Sequence, residues 1–318
     1  MGKICWNYAA RYHTHQHNSR NLRLYPFDHF KRLAKTQIST IFTSMNHLCF
    51  DGRFLPADRP VLLVDNKGYR YGDGIFETIK VHKGMILLDD LHFERLFTGF
   101  KTLGFAVPEL LDAEKLRKQI LLLCAKNQCA DLARVRLTAF RGHGGINEDS
   151  GLCHYSIEAW TAPPSVNEWN ENGLVTGLYT DAKKSCDGLS HLKSANYLPY
   201  VMAARFAKEK KWNDAMVMNS HDRIAETSIM NLYIVKDGEI HTPPLSEGCV
   251  SGIMRKYLLS KLPIQERPLT ERDLLVADEL FLSNAMTGIR WIKEFGEREY
   301  TQARSREIYA SLIRPMFD

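Results

Sequence analysis

Phe76-Glu77-Thr78-Ile79-Lys80-Val81, the pair Lys83-Gly84, and Met85-Ile86-Leu87-Leu88 make up the stretch from which the architecture is read. Two apolar, partly β-branched segments joined by a pair suited to a tight turn predict a β-hairpin. Asp89 and Asp90 follow at once as caps for a helix from about Leu91 to Leu103. Gly104 stands where a left-handed residue closes such a helix. Toward the N-terminus, Leu48 and Phe50 alternate into Asp51-Gly52 and Phe54 resumes the pattern, which predicts another hairpin. Toward the C-terminus, a helix after Pro108 (Leu116, Ile120, Leu123) leads to strands at Ala133–Phe140 and Cys153–Trp160. Thr161-Ala-Pro-Pro-Ser165 through Gly173 reads as a linker, because paired prolines and polar residues interrupt regular structure. Beyond it the pattern predicts strands near Leu174–Tyr179, Asp214–Asn219, Leu232–Val235, Glu239–Thr242 and Glu279–Ser283. Helices are predicted at about Asn196–Lys211 and Gly252–Leu262. Mixed elements in both halves give an α+β class, with a smaller domain over 45–165 and a larger one over 166–318.

Residues 1–44 differ in kind. They are rich in His, Arg, Asn and Thr, hold one acidic residue, Asp28, and lack an apolar period. They read as an unmatched extension, disordered or not translated, with Met45 as an alternative start. The basic, acid-poor composition also permits an organelle transit peptide. His13, His15 and His17 alternate, but no nearby Cys or carboxylate completes a metal set, so no metal is expected.

Hydrophobic residues at 44% and charged residues at 25% exclude wholesale disorder, and no apolar run of about 18 residues could cross a bilayer. The formal charge of +5 comes from cations interleaved with acids, so neither nucleic acid nor a membrane is expected as a partner. Seven widely spaced cysteines without a CxxC pair read as reduced thiols, which points to the cytoplasm.

Three features could carry chemistry. Lys193, in Leu189-Ser-His-Leu-Lys193-Ser-Ala-Asn196-Tyr197, sits in an apolar setting that can depress its pKa and make it a nucleophile toward a carbonyl. Glu226, in Arg223-Ile-Ala-Glu226-Thr227-Ser228-Ile-Met-Asn231, lies between two strands in what reads as a loop, where it could hold a proton on a ring nitrogen. The third, Pro243 to Arg255, is a rigid, glycine-bearing loop running into a helix whose free N–H groups suit phosphate, with Arg95 available as a charged partner. Each also has an ordinary reading: a surface lysine, a solvated glutamate beside Arg223, and a common helix start with an arginine facing water. Gly72-Asp-Gly74 lacks the spacing of a nucleotide loop and precedes a strand.

Several segments together are more specific. Arg70-Tyr-Gly-Asp-Gly-Ile-Phe-Glu-Thr-Ile79, His92-Phe-Glu-Arg95-Leu96, Arg134-Val-Arg-Leu137, Leu192-Lys193-Ser-Ala-Asn196, Ile224-Ala-Glu226 through Ile234, and Thr242-Pro-Pro-Leu-Ser-Glu-Gly to Ile253 occur in that order. Together they resemble the class IV aminotransferases, which include branched-chain and D-amino-acid aminotransferases and 4-amino-4-deoxychorismate lyase. The resemblance runs from about Met45 to the C-terminus. It implies a two-domain, fold type IV enzyme like D-amino-acid aminotransferase, dependent on pyridoxal 5'-phosphate. The cofactor then lies in the cleft between the domains, and the partner of a homodimer completes the pocket for a small-molecule substrate.

By the same resemblance Lys193 carries the cofactor as a Schiff base and shuttles the proton, and Glu226 pairs with the pyridine nitrogen. Arg95 and the backbone of Ile253 and Met254 hold the phosphate. Phe76, Glu77 and Ala285 line the substrate pocket, and Asn284 belongs to the cofactor set. The implied reaction is amino transfer between a branched-chain or D-amino acid and a 2-oxo acid. The alternative is the lyase reaction giving 4-aminobenzoate and pyruvate. Glu77 stands where some lyases have a hydroxyl, which favours transfer, whereas Leu282-Ser283-Asn284-Ala285-Met286-Thr287-Gly288-Ile289 looks more like the lyase version. A catalytically silent relative is disfavoured because Lys193, Glu226 and Arg95 are all retained.

Overall fold

The computed structural model describes residues 45–148 and 151–318; the expectations for 1–44, including the three histidines, lie outside them. Asp51 and Gly52 take positive φ, 47° and 83°, as a two-residue hairpin turn requires. They join β1 (His47–Phe50) to β2 (Arg53–Pro56). A short helix, α1 (Lys67–Tyr71), precedes β3 (Gly74–His82). Lys83 and Gly84, at φ 49° and 73°, then turn the chain into β4 (Met85–Ile86), two residues shorter than the pattern suggested.

The next helix, α2 (Asp89–Leu103), corrects the capping expectation: Leu88 occupies the N-cap position at φ 55°, and Asp89 and Asp90 lie inside the first turn. Carboxylates there still favour the helix dipole, and Asp89 also accepts a hydrogen bond of 2.8 Å from Arg117 Nε on α3 (Ala113–Lys126). Two long strands, β5 (Leu132–Arg141) and β6 (Cys153–Thr161), complete an antiparallel sheet in the order β2-β1-β6-β5-β3-β4. Burial alternates along β6, with Cys153, Tyr155, Ile157 and Ala159 inside. This buried face packs with Ile79 and Leu137 against Phe93, Leu96 and Phe100 of α2 and Leu116, Ile120 and Leu123 of α3.

The second half builds a nine-stranded mixed sheet from β7 (Leu174–Lys184), β8 (Asp214–Asn219), β9 (Ile224–Thr227), β10 (Asn231–Lys236), β11 (Glu239–Thr242), β12 (Ile264–Glu266), β13 (Glu279–Asn284), β14 (Gly288–Phe295) and β15 (Arg298–Glu299). The helices α4 (Leu198–Glu209), α5 (Ile253–Lys261), α6 (Glu271–Val276) and α7 (Ala303–Ile308) accompany it. Strand alternation divides its core. Leu232, Ile234, Leu280 and Leu282 face one cluster, while Tyr233, Val235 and Phe281 face another with Met254 and Leu258 of α5 and Ile308 of α7. The rings of Tyr233 and Phe281 stack with centroids 4.6 Å apart.

The predicted loop over Arg223–Asn231 is corrected, because Ile224–Thr227 is a fully buried strand paired with β8. β14, β12 and α6 were not anticipated. The helix expected from Asn196 begins at Leu198, where Pro199 falls in its first turn, a position that needs no N–H donor.

Candidate active site

The Lys193 segment is stitched to β3. Phe76 N donates to Lys193 O at 2.9 Å, Ala195 N donates to Gly74 O at 2.8 Å, and Ser194 bridges Ile75. This places the lysine amine 4.6 Å from the centroid of the Phe76 ring and 5.7 Å from that of Tyr197. Burial pushes the amine down to about 8, aided by the positive charges of Arg95 and Arg136 and opposed by Glu77 and Glu226. Aromatic faces thus replace water around a group ringed by charges of both signs.

Glu226, only 4% exposed on β9, meets four donors. Its Oε1 accepts from Lys184 Nζ at 2.9 Å, from Val250 N at 2.9 Å and from Tyr200 Oη, while Oε2 accepts only from Asn231 Nδ2 at 3.2 Å. These donors offset part of the cost of burying the carboxyl group.

Strand alternation sends neighbouring side chains of β3 in opposite directions. Phe76 faces Lys193, whereas Glu77 shares the face of Ile75 and Ile79 and meets α2. There His92 Nδ1 donates to Glu77 Oε2 at 2.7 Å, and Arg95 donates from Nε to Oε1 at 2.7 Å and from Nη2 to Oε2. Burial alone would raise the Glu77 carboxyl, but Arg95 and His92 outweigh it and hold it at about 2. Burial keeps His92 below its usual range, so the ring is neutral and acts as a donor through Nδ1. Arg95 also donates from Nη1 to Ser251 O at 2.8 Å, which fixes it beside the start of α5. The first N–H groups of α5 have no side-chain cap, and Gly252 precedes them with room for no Cβ, which would meet Asn231 Oδ1 at 1.9 Å. Arg95, His191, Ser251, Ile253 and Lys256 line one cleft there.

Asn231 pairs with Ser283 across the sheet, so Asn284 and Ala285 leave β13 at the edge where Asn231 and Glu226 lie. Asn284 Oδ1 accepts from the N–H groups of Met286 and Thr287 and from Thr287 Oγ1, closing its own turn.

Residues 74–295 match the family model described as amino-transferase class IV. The chain belongs to the class IV aminotransferases. A putative branched-chain-amino-acid aminotransferase of Methanocaldococcus jannaschii is 28% identical over 82% of this chain and 92% of that protein. An aminodeoxychorismate lyase of Vibrio harveyi is 28% identical over 70% and 83%, respectively. A D-alanine aminotransferase of Bacillus licheniformis is 27% identical over 74% and 83%. The crystal structure of a branched-chain aminotransferase from Thermoproteus uzoniensis superposes with a TM-score of 0.76 at 24% identity, covering 85% of this chain and 94% of that one. The fold is accordingly that of the fold type IV pyridoxal-phosphate enzymes, and the chain is an enzyme.

Class IV aminotransferases depend on pyridoxal phosphate, and the residues present suit such a group. An amine of depressed pKa, a buried acid with a spare lone pair on Oε2, and an arginine beside uncapped helix N–H groups have the chemistry to meet the aldehyde, ring nitrogen and phosphate of such a group.

Sequence reasoning missed several residues of this class IV site. Lys184, Tyr200 and Val250 reach Glu226 from three separate elements, and nothing local marks them. Arg136 lies 3.9 Å from the Phe76 ring centroid, with Nε on Thr138. It could have been found, because the register of β3 on β5 pairs Thr78 with Arg136 and Phe76 with Thr138, on one face.

Proposed function

We propose that this class IV enzyme binds pyridoxal 5'-phosphate through Lys193 and transfers amino groups between a branched-chain or D-amino acid and a 2-oxo acid. The observation that carries the reading is the half-buried Lys193 amine, depressed to about 8 and flanked by the charges of Arg95, Glu77 and Glu226. Once bound, the cofactor supplies an aldehyde for amines and an electron-poor ring that takes up electrons when a substrate carbon loses its proton. Lys193 Nζ moves that proton, since an amine lowered to about 8 can both give up and take back a proton near neutrality. Glu226 Oε2 holds a proton at the ring nitrogen. Arg95 and the N–H groups of Ile253 and Met254 bind the phosphate, with Glu77 and His92 orienting Arg95. Phe76 and Tyr197 exclude water from the amine, and Arg136 is the nearby cation for a substrate carboxylate. Asn284 and Ala285 border the cofactor and substrate space. The reading includes a homodimer, a cytoplasmic setting and two domains divided at about residue 165.

The second reading, cleavage of aminodeoxychorismate, is favoured by Asn284-Ala285, where the amide closes its own turn and no hydroxyl side chain is offered. Incubation with pyridoxal phosphate is expected to give the violet absorbance of a lysine-bound cofactor. Borohydride reduction is expected to fix it on the wild type and not on Lys193→Ala. Glutamate formed from a branched-chain or D-amino acid plus 2-oxoglutarate supports transfer, and 4-aminobenzoate with pyruvate supports the lyase. Covalent cofactor on Lys193→Ala would refute the site.

A further inference from the structure

Of the four donors on Glu226, three are neutral: Tyr200 Oη, Asn231 Nδ2 and the N–H of Val250. The fourth is Lys184 Nζ, at the end of β7, 9% exposed and 2.9 Å from Oε1. The same ammonium donates to Ser190 O at 3.2 Å, three residues before Lys193, and lies 4.9 Å from the Tyr200 ring centroid. The other titratable groups facing Glu226 are Lys193, Tyr197 and Cys249. The Tyr197 hydroxyl and Cys249 thiol are pushed up by burial and stay neutral. Lys184 is therefore the one charged group among the described residues that bonds the acid directly.

We propose that Lys184 is a positioning residue for the ring nitrogen of the cofactor: its charge keeps Glu226 ionised in the empty protein, and its bond to Oε1 leaves Oε2 as the oxygen with a free lone pair. The inference rests on the assignment of Glu226 to the ring nitrogen. Its physical basis is that an opposite charge at hydrogen-bond distance stabilises a buried carboxylate, whereas neutral donors alone leave more of the desolvation cost in place. Without Lys184 the buried acid takes up a proton more readily.

That difference has a proton-linkage signature. A ring nitrogen docking in protonated form on an ionised Glu226 draws one proton from solvent once the pH exceeds the nitrogen's own pKa. Affinity then falls about tenfold per pH unit. Where Glu226 is already protonated, a nitrogen that arrives with its own proton forces the acid to release one, so affinity also falls on the acid side, below the pKa of the acid, and this acid-side limb moves up when that pKa is raised.

The test uses pyridoxamine 5'-phosphate, whose amine cannot condense with Lys193, titrated by protein fluorescence from acid to alkaline pH. Lys193 contributes its own titration alike to every variant. In Lys184→Met and Lys184→Gln the acid-side limb is expected to move up by about one pH unit or more, and in Lys184→Arg to stay as in the wild type. Lys184→Gln keeps a donor and loses only the charge, so it serves also if Lys184→Met does not fold. A weaker affinity at every pH with an unmoved acid-side limb in both variants would assign Lys184 a merely structural role and overturn the proposal, leaving the cofactor reading intact. A wild type that binds neither pyridoxamine nor pyridoxal phosphate would overturn both.

Discussion

Replacing Glu77 by Gln keeps the shape of the side chain and removes the charge that Arg95 and His92 are arranged around. The carboxyl is held at about 2 against an ordinary 4.5, a displacement that at about 1.4 kcal/mol per pH unit corresponds to about 3 kcal/mol. Breaking a buried ion pair by removing one partner gives a similar figure, about 3–5 kcal/mol. Because the folded-state pKa is depressed, this contribution is fully present above about pH 4.5 and is lost as the pH falls toward about 2. Guanidinium unfolding of the cofactor-free protein should therefore show Glu77→Gln less stable by about 3 kcal/mol at neutral pH, with the gap to wild type shrinking to roughly half near pH 3. Arg95 freed from Glu77 should also hold phosphate less firmly, so the affinity for pyridoxal phosphate should fall with the stability. A difference below about 0.5 kcal/mol at neutral pH, within the range of an ordinary surface substitution, would refute the argument that this buried pair organises α2 against β3.

Two further substitutions probe the same physics elsewhere. Lys80 is fully buried on β3 with its ammonium 3.5 Å from the Phe317 ring centroid, and burial together with Arg290 pushes it down to about 7. Its folded-state pKa is below the unfolded value, so the lysine destabilises most at low pH and stability rises as the pH climbs from about 7 to 10.5. Lys80→Met should accordingly stabilise by about 1–4 kcal/mol near pH 6 and much less near pH 10 in thermal unfolding; a pH-independent effect would contradict this. Gly252→Ala would drive a Cβ into Asn231 Oδ1, the residue that bonds both Glu226 and Val250 O. A loss of about 1–3 kcal/mol and weakened cofactor retention are expected, and wild-type retention by a folded variant would remove Asn231 from the site.

The hairpins and α2 were legible because their determinants are local. Asp51-Gly52 and Lys83-Gly84 carry the positive φ their turns need, and Gly104 closes its helix in the left-handed region at φ 65°. β9 was illegible for the opposite reason. Ile224-Ala225-Glu226-Thr227 is buried on both faces, so no alternation marks it, and its acid is tolerated through Asn231 together with Lys184, Tyr200 and Val250, the last three distant in sequence. β14 hid likewise, with Arg290 buried and satisfied by Ser165 and Ile289 carbonyls instead of facing water. Lys193, Glu226 and Arg95 were singled out through motif resemblance, since each alone looked like an ordinary surface residue. Glu77 was placed in the substrate pocket by the resemblance, and period-two alternation of β3 turns its carboxylate toward His92 and Arg95.

Two of the three groups of the site, Arg95 and Lys193, are supported from the opposite sheet. Arg95 rides on a helix of the first sheet and bonds Ser251 of the second half. Lys193 belongs to the second half and is stitched by two backbone hydrogen bonds to β3 of the first. Lys256 of α5 meets Glu94 of α2 across the same seam. Farther along it, His82 of β3 bonds Phe317 O near the C-terminus. A phosphate cradle and an amine built on different sheets keep their separation only while that seam is closed, and effective catalysis demands positioning to within about an ångström. The seam bonds are therefore part of the site, and the Glu77 pair that fixes α2 against β3 sets the position of both the cradle and the lysine loop at once.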